Sequence, residues 1–135
     1  MGKLNELNWC GNVAFRNSTQ KLKRSTLARL IQENDIQVII DVRKYPDHRL
    51  RDLAPHVIFK RIPEGHTASI LEIEKIVHGI RYSIINFDKV LVISYHGRNR
   101  APCLAAMACE DREEVRKVLS NPRYLTNPFF RSLLE

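Results

Sequence analysis

The sequence predicts a single α/β domain, residues 1–135, with a central, mostly parallel sheet flanked by helices. Two apolar runs rich in β-branched residues, 36–42 and 89–93, have the nearly continuous hydrophobicity of strands buried on both faces. Segments with apolar residues at helical spacing alternate with the strands along the chain. Such alternation is typical of parallel sheets covered by helices. A chain of 135 residues is large enough for one hydrophobic core.

The N-terminal part of the chain predicts a strand or hairpin followed by a helix. Apolar residues alternate with polar ones about Gly11 in residues 7–15, which is typical of a short strand or hairpin. Ser25 or Thr26 is expected to cap a helix that continues through Asn34, because either hydroxyl can accept a hydrogen bond from a first-turn amide.

The middle of the chain predicts a buried strand, a polar loop, a further strand and a long helix. The strand at 36–42 is expected in the centre of the sheet, and the polar loop 43–55 leads to another strand at 56–62. Ser69 and Glu72 have the spacing of a capping box that begins a helix. The apolar face of that helix contains Ile70, Ile73, Ile76 or Val77, and Ile80.

The C-terminal part predicts one more strand and three helices. The strand at 89–93 leads through a polar loop into a helix of small apolar residues at 102–109, which has a proline in its first turn. A second helix begins at Asp111 and is stopped by Pro122. The last short helix starts at the Asn-Pro pair of residues 127–128.

Residues 94–100 form the loop that carries the predicted function. Between a strand and a helix, loop N–H groups and the positive end of the helix dipole converge on one point, which suits an anion. Arg100, at the helix start, adds a planar fork of donors matched to phosphate oxygens. Gly97 lets the loop amides face inward. The predicted phosphate-binding residues are Ser94, Tyr95, His96, Gly97, Arg98, Asn99 and Arg100, of which Arg98 and Asn99 either contact the ligand or shape the loop.

The loop resembles the phosphate-binding loop of the cysteine-dependent protein tyrosine and dual-specificity phosphatases. Their pattern is His-Cys, five residues, Arg, then Ser or Thr. Here Ser94 and Arg100 enclose five residues, with Gly97 at the glycine position. By the order of its elements the resemblance covers residues 8–135, and it implies the fold of a small dual-specificity phosphatase. The motif itself lies within residues 90–102.

Three positions of the loop differ from the family pattern. Ser94 stands where the family has its cysteine nucleophile, Ile93 where it has histidine, and Ala101 where it has a hydroxyl residue. A serine hydroxyl is far harder to ionise than a cysteine thiol, and His96 is expected to face outward, away from Ser94. Ser94, at the catalytic nucleophile position, is therefore expected to bind phosphate without attacking it.

The general acid of the family is also absent from its usual place. The resemblance implies an aspartate on the loop that precedes the phosphate loop, but residues 62–69 contain none. In that segment Glu64 or His66 is the candidate that could replace the aspartate as general acid. Asp41 and Asp47 are further alternatives, although Asp41 is better suited to cap its strand or to pair with Arg43.

The first hypothesis is a catalytically inactive, phosphatase-like domain that binds phosphoserine, phosphothreonine or phosphotyrosine in protein. One alternative is an active protein tyrosine or dual-specificity phosphatase whose native residue 94 is cysteine, with serine as a substrate-trapping change. Another is a rhodanese-like domain, because residues 38–43 resemble its Ile-Asp-Val-Arg stretch, although a rhodanese needs a cysteine at position 94. Residues 25–49 also look like an uncharacterised bacterial family with an Asp-Val-Arg, Pro, Arg signature.

Composition favours an anionic partner. The formal net charge is +7, and six basic residues on or beside the loop 43–55 either form a solvated surface or rim the anion site: Arg43, Lys44, Arg49, Arg51, Lys60 and Arg61. An RNA end phosphate is a further alternative, but nucleic acid is less favoured because the aromatic residues are not interleaved for base stacking.

The remaining composition predicts a cytoplasmic protein without metal or cofactor. The three cysteines have no framework spacing, and the histidines have no paired ligand spacing. No apolar run reaches the roughly 20 residues of a membrane span. The N-terminus lacks the layout of a signal peptide.

Overall fold

The computed structural model describes residues 6–65 and 67–135, and it contains a five-stranded sheet with helices on both faces. The strand order is β1-β2-β5-β3-β4. The hairpin pair β1–β2 is antiparallel, and the other three pairs are parallel. The predicted α/β class with a mostly parallel sheet is confirmed. The strands are β1 (Asn8–Cys10), β2 (Val13–Arg16), β3 (Ile36–Asp41), β4 (His56–Phe59) and β5 (Lys89–Ile93).

Among the described residues, five α-helices and one 3-10 helix cover the sheet. One core cluster joins α1 to one face of β3 and β5, and the other joins α2, α3, α4 and α5 to the opposite face. In the described part of the chain, no helix is long and apolar enough to cross a lipid bilayer. The helices are α1 (Arg24–Glu33), α2 (Ile70–Ile85), α3 (Arg100–Ala108), α4 (Arg112–Ser120) and α5 (Pro128–Ser132), with the 3-10 helix at His48–Asp52.

Three of the predicted helix starts are confirmed, including the capping box at Ser69, and each start has a capping side chain. Ser69 Oγ accepts a hydrogen bond from the Glu72 amide at 3.3 Å, Asp111 Oδ1 accepts from the Glu113 amide at 3.0 Å, and Asn127 Oδ1 accepts from the Phe129 amide at 2.9 Å. Each bond satisfies one of the amides that a helix N-terminus leaves without an intrahelical partner.

The predicted cap of α1 is wrong. The helix follows Lys23, which makes no side-chain capping bond, so Ser25 and Thr26 lie inside its first turn. A turn precedes the helix instead, and in it the Leu22 amide donates a hydrogen bond to the Thr19 carbonyl at 3.0 Å. Leu22 is buried against α1, and its anchoring fixes the helix start without a capping side chain.

The sheet brings the ends of β3 and β5 together, and this arrangement positions the site. Asp41 lies opposite Ile93 in the parallel register, and the Val42 amide bonds to the Ile93 carbonyl at 3.0 Å. Strand β4 ends at Phe59, short of the predicted residue 62, and the chain then follows the loop after β3. The loops after β3, β4 and β5 therefore meet at the carboxyl edge of the sheet, where parallel sheets bind their ligands.

Candidate functional site

The loop between β5 and α3 is held tightly against the loop after β2. Gly97 has a φ of +64°, a backbone conformation that favours glycine. A Cβ atom at Gly97 would lie 2.8 Å from the backbone nitrogen of Asn17 and 3.0 Å from the carbonyl carbon of Arg16. Both the conformation and the close approach of two backbones therefore require glycine at this position.

Ser94 is buried at the base of the loop, where its Oγ accepts a hydrogen bond from the Gly97 amide at 3.2 Å. An amide aimed at this atom would also stabilise a negative charge placed there. Within the described residues, neither a histidine nor a carboxylate hydrogen-bonds to Ser94 Oγ. His96 is exposed, and it makes no hydrogen bond to Ser94 in the described structure. This arrangement does not provide Ser94 with a histidine base.

Arg100 has hydrogen-bond donors that the fold does not satisfy. The residue is 4% exposed, and its Nη1 donates to the Ile62 carbonyl at 2.7 Å and to the Val42 carbonyl at 3.2 Å. Its Nε and Nη2 atoms are buried without a hydrogen-bond acceptor among the described residues. Nη2 lies 3.2 Å from Glu64 Oε1, close enough for an ion pair but without the angles of a hydrogen bond.

The charge of Arg100 is costly in this position. Burial lowers the pKa of its guanidinium, and the nearby Glu64 carboxylate partly opposes that effect. Two buried N–H groups and a poorly solvated positive charge together favour an anion with several acceptor oxygens. An exposed carboxylate such as Glu64 offsets the charge only in part.

A cavity of about 250 Å³ contains most of the predicted site residues. Glu64 and Thr126 lie on its walls beside the loop. The structure thus brings Glu64 to the loop 94–100, whereas His66 lies outside the described residues. The cavity is lined by Glu64, Ser94, His96, Gly97, Arg98, Asn99, Arg100 and Thr126.

Tyr95 supports the site from the side of the loop after β3. Its ring centroid lies 5.7 Å from the guanidinium carbon of Arg100 and 5.8 Å from that of Arg43, within the range of cation–π attraction. Its hydroxyl accepts a hydrogen bond from the Tyr45 amide at 3.1 Å. The side chain does not line the cavity. Tyr95, one of the predicted phosphate-binding residues, therefore acts on the site through its contact with the Arg100 guanidinium.

Asn99 uses its side-chain amide to hold the loop in place. Its Nδ2 donates to Thr126 Oγ1 at 3.2 Å, and its Oδ1 accepts from the Asn127 amide at 2.8 Å. The Leu125 amide donates to the Arg98 carbonyl at 2.6 Å. Asn99 therefore shapes the loop, which was one of its two predicted roles. Sequence reasoning missed Thr126, because no local pattern relates it to a loop 27 residues earlier.

The two aspartates considered as acids are both tied to arginines. Asp41 and Arg43 form a fully buried pair, with Nε to Oδ1 at 2.8 Å and Nη2 to Oδ2 at 2.6 Å. Asp47 accepts hydrogen bonds from Arg49 Nε at 2.9 Å and from the Thr19 hydroxyl at 2.7 Å. The hydrogen bonds from Arg49, more than opposing burial, lower the pKa of Asp47 to about 2. Neither carboxylate is placed to protonate a leaving group at the loop.

The basic segment does not form a continuous rim of free charges. Arg43 and Arg49 are paired as described, and Lys60 lies 3.2 Å from Glu72. Lys44, Arg51 and Arg61 are exposed. Among the described residues, no group of three His, Cys, Asp or Glu side chains could hold a metal ion.

Comparison with known proteins shows the fold. No protein-family model matches the chain, and no curated protein matches it in sequence. Among solved structures, human DUSP28 superimposes with a TM-score of 0.74 at 12% identity, covering 95% of this chain and 88% of that one. The chain has the fold of the dual-specificity phosphatases.

Two further solved structures have the same fold. The human tyrosine phosphatase-like serine/threonine/tyrosine-interacting protein matches with a TM-score of 0.73 at 18% identity, covering 96% of this chain and 93% of that one. A kinase-associated phosphatase with its catalytic-site cysteine substituted by serine matches with a TM-score of 0.70 at 15% identity, covering 96% and 92%. The rhodanese-like alternative is not favoured by these similarities.

Proposed function

We propose that the chain binds phosphorylated protein through residues 94–100 and that, with serine at position 94, it does not hydrolyse the phosphate ester. The observation that supports this most strongly is Arg100, whose Nε and Nη2 are buried without a hydrogen-bond acceptor in the described structure. A buried donor left unsatisfied costs about 1–3 kcal/mol. A phosphate group above the loop would accept hydrogen bonds from both nitrogens and offset the charge, which no other described polar group of the cavity does fully.

Two features support binding without turnover. Ser94 has the position of a nucleophile, but no base among the described residues bonds to its hydroxyl to activate it. Glu64 is the acidic side chain of the cavity, and it lies on the guanidinium of Arg100. A carboxylate in that place competes with phosphate for Arg100. Glu64 remains the candidate for the general acid at this cavity, but its contact with Arg100 opposes that role.

The binding proposal is tested by calorimetric titration with a phosphotyrosine peptide and its unphosphorylated form. The Arg100→Lys variant keeps the charge but removes the fork of donors. Two charge-assisted hydrogen bonds are worth about 1.5–3 kcal/mol each. We therefore expect the affinity of Arg100→Lys for the phosphotyrosine peptide to fall by at least about tenfold. The matched control is Arg116→Lys on α4, an exposed residue paired with Glu113. Equal affinity of the two variants would contradict the proposal.

An active phosphatase is the second candidate, for a native form with cysteine at position 94. The supporting observation is the Gly97 amide, which donates to the side-chain oxygen of residue 94 and would equally stabilise a thiolate there. The Ser94→Cys variant is assayed on an aryl phosphate beside the unaltered chain. Turnover by the variant alone supports an active scaffold that lacks only its nucleophile. No turnover by either, with binding retained, supports a domain that only binds phosphate.

Phosphorylated protein is favoured over a nucleic-acid end as the partner. A polymer of phosphates needs a continuous basic surface, and Arg43, Arg49 and Lys60 are already paired with carboxylates. Competition of a 5′-phosphorylated RNA against the phosphopeptide distinguishes the two. We expect the peptide to displace the RNA, with an affinity that depends less steeply on salt.

A further inference from the structure

An apolar trough of about 280 Å³ lies between the edge strand β4 and helix α2, and the proposed phosphate site does not use it. It is lined by Val38, Ile40 and Ile58 from the sheet and by Ile76 and Gly79 from α2. Helix α2 covers the central strands but leaves Ile58 48% exposed. A trough of this kind is large enough for one or two apolar side chains of a partner.

The trough runs beside an open edge of the sheet. Strand β4 (His56–Phe59) is last in the strand order, and within the described residues it pairs with β3 alone. No described strand pairs with its outer backbone N–H and C=O groups, which are the groups that an added strand would bond to. Adding a strand to such an edge is a common way to bind a peptide, because main-chain bonds provide affinity and pockets provide specificity.

Gly79 is the observation that distinguishes this trough from an ordinary surface groove. A glycine inside a helix costs roughly 0.5–1 kcal/mol relative to alanine. Gly79 lies within α2, and apart from its own helix backbone no described atom lies within 4 Å of a Cβ placed there. Neither a special backbone conformation nor close packing requires glycine here. Its missing side chain has one structural effect, which is to keep the trough open.

The charges at the rim indicate what kind of segment fits. Glu72 is shared by two lysines, with Lys60 Nζ at 3.2 Å and Lys75 Nζ at 3.9 Å. The three side chains leave one positive charge at the rim, and the chain as a whole carries a net charge of +7. A carboxylate brought to this rim would pair with the lysine that Glu72 does not fully neutralise.

We propose that this trough docks an extended segment of a partner protein in which an apolar residue is followed two positions later by an acidic one. Residues two apart point to the same face of a strand. When the segment pairs with the outer edge of β4, the apolar side chain therefore enters the trough beside Ile58. The carboxylate then lies at the rim, where Lys60 and Lys75 share Glu72. This surface is separate from the phosphate loop, and its occupancy does not depend on phosphate binding.

The test uses synthetic seven-residue peptides with Leu, Ile, Val or Phe at the fourth position and Asp or Glu at the second and sixth. Binding is measured by fluorescence anisotropy and by amide NMR shifts of the ¹⁵N-labelled chain. Gly79→Leu fills the trough, and Gly79→Ala is the matched control, because its methyl group leaves most of the space open. We expect shifts at Ile58 and Lys60, and affinity at least about tenfold lower in Gly79→Leu than in Gly79→Ala.

The proposal is overturned if no peptide of the panel binds, if Gly79→Leu binds as well as Gly79→Ala, or if peptides with Lys in place of the acidic residues bind equally. It is also overturned if sedimentation shows a dimer of the unaltered chain that Gly79→Leu abolishes, because a second copy would then occupy the trough. Titration with inorganic phosphate is run on both Gly79 variants. Equal phosphate affinity keeps a failure of this proposal separate from a failure of the phosphate site.

Discussion

Gly97→Ala is the substitution that tests the proposed phosphate-binding loop most severely. The φ of +64° places an alanine in the left-handed region, at a cost of roughly 1–2 kcal/mol. The added Cβ would also lie 2.8 Å from the backbone nitrogen of Asn17, and forcing an atom into a packed site costs typically about 1–3 kcal/mol. We therefore expect the free energy of unfolding to fall by about 2–5 kcal/mol.

The measurement is urea denaturation of the variant beside the unaltered chain, with phosphate binding measured under native conditions. Gly79→Ala is the control, because it places the same methyl group in open space on a helix and should raise stability by about 0.5–1 kcal/mol. The two substitutions are chemically identical and should act in opposite directions. If Gly97→Ala changed neither stability nor phosphate binding, the loop conformation described above would be wrong.

Three further predictions concern the surroundings of the loop. Glu64→Gln removes the carboxylate that competes for Arg100, so phosphate affinity measured by calorimetry should rise by about two- to fivefold; weaker binding would indicate that Glu64 helps to hold the ligand. The pKa of Asp47 is lowered to about 2 in the folded chain, so its ionised form stabilises the fold above the pKa of the unfolded chain. We expect this contribution, roughly 2 kcal/mol, to be lost as the pH falls from about 5 through 2. Denaturation across that range should show this loss, and a smaller one in Asp47→Asn. Asn99→Ala should weaken phosphate binding with Arg100 unchanged, because the loop loses its bonds to Thr126 and Asn127; binding and stability unaffected would contradict that role.

Much of the fold could be predicted because its signals are local. The uninterrupted apolar runs of β3 and β5 and the caps at Ser69, Asp111 and Asn127 each depend on a few adjacent residues. The start of α1 was mispredicted because it is set by the burial of Leu22, a tertiary contact that competes with the capping preference of the following hydroxyls.

The candidate site was predicted only in part, for a related reason. The loop 94–100 and the role of Arg100 depend on spacing within one strand–loop–helix unit, and the structure places these residues around one cavity. The loop's support comes from elsewhere in the chain, through the contact of Gly97 with Asn17 and the bonds of Asn99 to residues 126 and 127. Contacts between distant segments leave no periodic pattern in a sequence.

Charge was the least predictable feature of the site. We expected six basic residues to share one of two collective roles. The pairing of Arg43 with Asp41, which was an expectation for Asp41, is confirmed, whereas the bonding of Arg49 to Asp47 was not predicted. Asp47 and Arg49 lie at the start of a 3-10 helix within an irregular loop, where neither strand nor α-helix periodicity says which side chains share a face. Only the burial of each side chain distinguishes a charge that serves the fold from one available to a ligand.

The most direct test of the central claim is an NMR titration of the ¹⁵N-labelled chain with inorganic phosphate, in which arginine side-chain Nε–H signals are observed. We expect the Nε–H signal of Arg100, which is buried and without an acceptor in the described structure, to shift strongly together with the Gly97 amide, at one shared dissociation constant. Exposed arginines such as Arg116 should stay unchanged. An Arg100 signal that does not respond while phosphate shifts other arginines would contradict the assignment of residues 94–100 as the phosphate-binding loop.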